Sequence, residues 1–100
     1  MIIICGHIHV DPANLGRFMS EIKVLSEAVR QREGNYSYDI AVEDSSSGKL
    51  LITERWKDQS VLSTHLASSD TLAFIYRWQG RMKEELLKYD AFNERELMDP

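Results

Sequence analysis

The run Ile2 to Val10 alternates between two unlike faces, and that alternation limits the folds open to the chain. Side chains two apart share one face of a strand. Ile2, Ile4, Gly6, Ile8 and Val10 form an apolar set, whereas Ile3, Cys5, His7 and His9 form a mixed one. A sheet built on such a strand needs a full cover on one side only. Asp11-Pro12 follows at once and reads as a helix start, with Asp11 as N-cap and Pro12 at the first helical position. Leu15, Phe18, Met19, Ile22, Leu25, Ser26 and Val29 then recur at three- and four-residue spacing. They predict one amphipathic helix that stops near Gly34.

Alternation returns twice more. Asn35–Glu43 places Tyr36, Tyr38, Ile40 and Val42 on one face; Lys49–Lys57 places Leu50, Ile52, Glu54 and Trp56 on one face. Ser45-Ser46-Ser47-Gly48 between them reads as a hairpin loop. Asp58 is a plausible cap for a short helix to about Ala67. Ser68 or Ser69 caps a longer helix whose expected stripe is Leu72, Ile75, Tyr76, Gln79, Met82, Lys83 and Leu86, before a last strand near Lys88–Phe92. The order strand, helix, strand, strand, helix pair, strand suits an α+β, ferredoxin-like two-layer sandwich with an antiparallel sheet. With 100 residues a single domain is expected, its core about 2–92 and its tail 93–100.

The uncovered face would carry Ile3, Cys5, Ala41, Leu51 and Thr53 beside His7, His9 and Asp39. That mixture is too apolar for water alone, so a homodimer formed by stacking two sheet faces is expected. A formal charge of −4 argues against nucleic acid as a partner. No apolar run approaches the ~20 residues of a membrane span, and Met1–Cys5 reads as a strand rather than a signal peptide. The one cysteine, Cys5, excludes an intrachain disulfide and any cysteine-built metal site. It fits a reducing compartment, so a cytoplasmic setting is expected.

Glu54 is the most informative residue. Parity places its carboxyl on the helix-covered face, where it must be paired, hydrogen-bonded or shifted toward its neutral form. A structural pairing with an arginine also satisfies that demand. His65, at the end of the short helix, would approach Glu54 if that helix folds back over the sheet. A carboxylate that orients an imidazole makes it a base; a packing or capping role is the alternative. Trp56, Tyr38, Tyr36, Tyr76 and Phe18 are expected to point into the layer between sheet and helices. Such a cluster serves as core, or as a pocket for a flat aromatic ligand. His7 and His9 form a His-x-His pair that Asp39 or Glu43 could complete as a metal site, although hydrogen bonding across a dimer face is the simpler role.

The stretches Arg32-Glu33-Gly34-Asn35-Tyr36-Ser37-Tyr38-Asp39, Glu54-Arg55-Trp56-Lys57-Asp58, His65-Leu66-Ala67-Ser68 and Ala73-Phe74 together resemble the antibiotic biosynthesis monooxygenase (ABM) domain. That family's pattern runs Glu-x-Gly, Tyr, Glu-x-Trp-x-Asp, His-Leu, Phe, and the likeness spans about Ile2 to Tyr76. The resemblance implies a ferredoxin-like protomer and a dimeric α/β barrel. It implies a monooxygenase that oxidises hydroquinones or phenols with dioxygen and no cofactor. Other members degrade haem or isomerise a sugar phosphate. Ser69-Asp70 stands where some members carry a second histidine, which counts against the isomerase. Gly6, His65 and Tyr76 fall where haem-degrading members carry asparagine, tryptophan and histidine, which counts against haem cleavage. Under the monooxygenase reading His65 is the base, Glu54 orients it, Trp56 and Tyr38 wall the ring, and Tyr76 holds an oxygen substituent. A binding module without chemistry, sensing or carrying a small aromatic, is the other reading of the same pocket.

Overall fold

A computed structural model describes residues 1–100. The strands are β1 (Ile2–Val10), β2 (Asn35–Asp44), β3 (Lys49–Trp56) and β4 (Met82–Asp90), and the helices are α1 (Leu15–Arg30), α2 (Gln59–Leu66) and α3 (Ser69–Trp78). The four strands make one antiparallel sheet in the order β2-β3-β1-β4, and the helices lie over one face of it. This is the expected α+β, ferredoxin-like architecture. Within the chain the sheet is open and does not close into a barrel.

Asp11 and Asp58 cap as their residue type predicts, whereas Ser68, at the N-cap of α3, makes no side-chain capping bond and donates its hydroxyl back to the Thr64 carbonyl at 3.0 Å. The Asp11 carboxylate accepts from the Ala13 N–H at 2.9 Å and opens a 3-10 turn, Pro12–Asn14, that leads into α1. The Asp58 carboxylate accepts from the Val61 N–H at 3.0 Å and starts α2. Each capping bond satisfies a donor that the first helical turn leaves free. Asp44 stabilises the hairpin loop by accepting from the Ser46 N–H at 3.0 Å and the Ser46 hydroxyl at 2.7 Å.

Strand parity survives into the packing. Ile2 lies opposite Trp56, Ile4 opposite Glu54 and Ile8 opposite Leu50, so the even positions share the covered face. There Ile2, Ile8, Val10, Leu50, Ile52 and Trp56 are buried against Phe18, Ile22, Leu25 and Val29 of α1 and Leu62, Phe74 and Trp78 of α2 and α3. Ser26 joins this buried stripe because its hydroxyl donates to the Lys23 carbonyl at 2.8 Å.

The third helix departs from expectation in both length and face. It ends at Trp78, and Met82–Leu86 belong to β4, which therefore starts six residues earlier than the expected Lys88. Gly80 takes a φ of +75°, a conformation that stops a helix and suits glycine. Beyond it, Met82–Asp90 pair residue by residue with β1, and that ladder outweighs the helical spacing of Met82, Lys83 and Leu86. The buried positions of α3 are Thr71, Phe74 and Trp78; Leu72 and Tyr76 face outward, and the part-exposed Ile75 lies at the edge of the space between sheet and helices. The early start of β4 also adds exposed Leu87 to the uncovered face beside Cys5 of β1, next to Tyr89 opposite Ile3.

Candidate active site

Glu54 and Trp56 are two apart on β3, so both enter the layer under the helices. Glu54 is 7% exposed, and its Oε1 accepts from the Trp56 indole Nε1–H at 2.9 Å. Burial raises the Glu54 pKa above the ordinary carboxylate value; the Trp56 bond opposes this and the charge of Glu84 adds to it.

His65 sits on the buried face of α2 and is 4% exposed. Its ring stacks on Trp56, with centroids 4.6 Å apart and planes inclined by 26°. The Tyr38 ring stands edge-on to it, at 6.3 Å and 70°. The Arg32 guanidinium, from the turn after α1, donates through Nη1 to His65 Nδ1. The same guanidinium donates to the Thr71 hydroxyl at 3.0 Å and to the Asp70 carboxylate. His65 is held down to a pKa of about 4, first by burial and then by the Arg32 charge, with Asp70 opposing.

The expected acid–imidazole pair does not form. Glu54 is engaged with Trp56, and His65 is oriented by Arg32. The two groups instead line one cavity of about 90 Å³ between sheet and helices, together with Tyr38, Thr71, Phe74 and Glu84. Tyr38 is buried there, and its phenol is pushed up by that burial and by the charges of Glu54 and Glu84, so it stays protonated.

Of the five aromatic residues expected at the pocket, Tyr38 alone lines the cavity. Tyr36 is 54% exposed because it falls in an irregularity of the β2–β3 ladder between Asn35 and Ser37, which removes it from the inward alternation. Tyr76 is 78% exposed on the outward face of α3. Phe18 is fully buried but packs edge-to-face with Phe74 at 5.4 Å and Trp78 at 5.0 Å, as core rather than cavity wall. Trp56 lies behind the wall, and contacts the chamber only through Glu54 and His65.

His7 and His9 lie on the uncovered face. His7 Nε2 is 3.1 Å from a Glu43 carboxylate oxygen, without hydrogen-bond geometry, and His9 Nε2 is 3.6 Å from Glu85. Asp39 is instead 4.0 Å from Arg30, and no group of three or more His, Cys, Asp or Glu side chains is placed to hold a metal ion. No helix is long and apolar enough to cross a membrane.

Arg32 is the site residue that the sequence reading did not single out. An arginine just past a helix end is a common surface residue, and only folding α2 and α3 against that turn brings it to His65, Thr71 and Asp70. Its one signal was its place immediately before Glu33-Gly34 in the family-like stretch.

Comparison with known proteins agrees with this architecture. The family model "Antibiotic biosynthesis monooxygenase" matches residues 1–77. The Bacillus subtilis (strain 168) protein named "Putative monooxygenase YcnE" is 28% identical over 75 residues, covering 75% of this chain and 79% of that protein. A Deinococcus radiodurans structure titled as a putative antibiotic biosynthesis monooxygenase superposes with a TM-score of 0.87 at 23% identity, covering 99% of this chain and all of the other (100%). One from Nitrosomonas europaea, titled likewise, gives 0.81 at 16% identity over 93% of this chain and 100% of its own. The two structures show the shared fold, and the match over residues 1–77 shows the kinship: the chain belongs to the antibiotic biosynthesis monooxygenase family.

Proposed function

We propose that the chain is a cofactor-independent monooxygenase that oxidises a single hydroquinone or phenol ring with dioxygen. The observation that carries this reading is the chamber itself: a buried carboxyl of raised pKa and an imidazole line one partly open cavity beside a buried tyrosine. Triplet dioxygen reacts slowly with closed-shell molecules, but an aromatic anion can pass it one electron. Glu54 takes the ring hydroxyl's proton; burial makes its carboxylate a stronger base than an exposed one. The phenolate gives one electron to dioxygen, the radical pair joins at a ring carbon as a peroxide anion, and Glu54 returns its proton to make the hydroperoxide. Loss of water from that carbon leaves a quinone, so one oxygen atom enters the product and the other leaves as water. Tyr38 and His65 orient the ring's oxygen. Tyr76, exposed on α3, is not used.

The chamber volume favours a small substrate. A cavity of about 150 Å³ takes up benzene in other proteins, whereas this one measures about 90 Å³. One ring enters with a modest movement of the wall, and a polycyclic phenol demands far more. We further propose that two chains pair through the uncovered sheet face in a cytoplasmic setting, since Leu51, Leu87 and Tyr89 are exposed there.

A panel of single-ring hydroquinones in an oxygen electrode tests the reaction. Glu54→Gln is expected to lower oxygen uptake by roughly 10²–10⁴, the usual worth of a general base. Unchanged uptake in both Glu54→Gln and His65→Ala would overturn it. A non-catalytic binding module is the second reading, and the occupied Nδ1 of His65 is what favours it. A binder gives thermal shifts with these ligands and no oxygen consumption.

A further inference from the structure

We propose that Arg32 is a positioning residue, which fixes His65 in the tautomer that carries its proton on Nε2 and so aims a hydrogen-bond donor, not a base, into the chamber. Donors and acceptors decide the tautomer. A guanidinium has five N–H donors, no acceptor, and cannot lose its proton in a protein. His65 Nδ1 meets Arg32 Nη1, so Nδ1 must offer its lone pair. In a neutral imidazole the proton then sits on Nε2.

Three contacts stop the guanidinium from moving away: the bond to His65, the bond to Thr71 and the ion pair with Asp70. The imidazole is held as firmly by its stack on Trp56 and the edge of Tyr38. His65 is also a partition. On one side lies a polar groove of about 310 Å³ lined by Arg32, Thr64 and Ser68; on the other lies the chamber with Tyr38 and Glu54. Nδ1 is spent on the Arg32 side. Nε2 has no bond within the chain; with Nδ1 taken up by Arg32 and the ring lining the chamber, we assign Nε2 to the chamber.

An Nε2–H donates to a phenolate or a developing superoxide, stabilising the anions that Glu54 helps create. The ionisable groups around the ring are Arg32, Asp70, Glu54, Tyr38 and Glu84, and Arg32 is the one bonded to it. This catalytic role rests on the proposed reaction; the tautomer does not.

Nitrogen-15 NMR of histidine-labelled protein tests the tautomer directly. Wild type is expected to show His65 at pH 7 with a lone pair on Nδ1 and a proton on Nε2, charging only near pH 4. Arg32→Met is expected to raise that midpoint and admit the Nδ1–H form, and Arg32→Lys to restore much of the wild-type behaviour. Under the proposed reaction, Arg32→Met lowers kcat at least tenfold with a smaller change in KM. An Nδ1–H signal in wild type, or unchanged His65 resonances in folded Arg32→Met, overturns the proposal. Should Arg32→Met not fold, the wild-type spectrum decides alone. Should no hydroquinone be oxidised, the reaction fails while the tautomer is still read from the spectrum.

Discussion

Lowering the pH from 7 to 4.5 isolates what the burial of His65 costs when it must charge. Its pKa is about 4 in the fold, against an ordinary value of 6.5. The unfolded chain therefore binds a proton in this window that the native chain refuses. Stability contributed by neutral His65 is fully present above pH 6.5 and is lost as pH falls toward 4. At 1.36 kcal/mol per pH unit, the whole gap is worth about 3 kcal/mol, and about 2 kcal/mol of it disappears between pH 7 and 4.5. Glu54 acts with the opposite sign: its raised pKa makes protonation on acidification stabilising. Comparing wild type with His65→Asn cancels that contribution, because the asparagine oxygen still accepts from Arg32 but does not titrate. Urea unfolding at fixed protein concentration is the assay. The gap in midpoint between the two proteins is expected to change by about 2 M from pH 7 to 4.5, for an m-value of about 1 kcal/mol/M. Equal pH slopes for the two proteins refute the reasoning, because they mean His65 charges as easily folded as unfolded.

Glu54→Gln is expected to raise the melting temperature at pH 7, since the amide oxygen still accepts from Trp56 and no charge is buried; the gain shrinks as pH falls through the raised native pKa and is gone below about pH 4.5, where the acid is neutral folded and unfolded, and a lower Tm at pH 7 contradicts this. Gly6→Ala is expected to cost about 2 kcal/mol or more. The added Cβ would stand 2.0 Å from the Glu85 carbonyl oxygen at a φ of +149°, and chemical denaturation checks it. Light scattering at micromolar concentration is expected to give twice the 11.6 kDa chain mass; a clean monomer ends the sheet-face dimer.

Much of this arrangement was legible before any coordinates. Strand parity placed Ile52, Glu54 and Trp56 on the covered face, because a period of two leaves no freedom once one neighbour is buried. Asp11 and Asp58 marked helix starts because capping is a local interaction. The third helix misled because Leu72, Ile75 and Tyr76 form a more apolar-looking stripe than Thr71, Phe74 and Trp78, and only contact with α1 decides which face is buried. Tyr36 was misplaced for a related reason, since a ladder irregularity breaks parity without changing composition. The polar partners were least visible. Glu54 found Trp56 on its own strand, whereas His65 found Arg32 across thirty-three positions of sequence, a pairing that no local rule foretells.

Titration of a single-ring hydroquinone under argon, followed on the Trp56 indole and His65 imidazole resonances, asks most directly whether the chamber is where the ligand goes. Occupation is expected to move both signals together and to saturate, with smaller effects in Glu54→Gln. Shifts confined to exposed positions such as Tyr76, or none at saturating ligand, contradict the assignment of this chamber as the place of reaction.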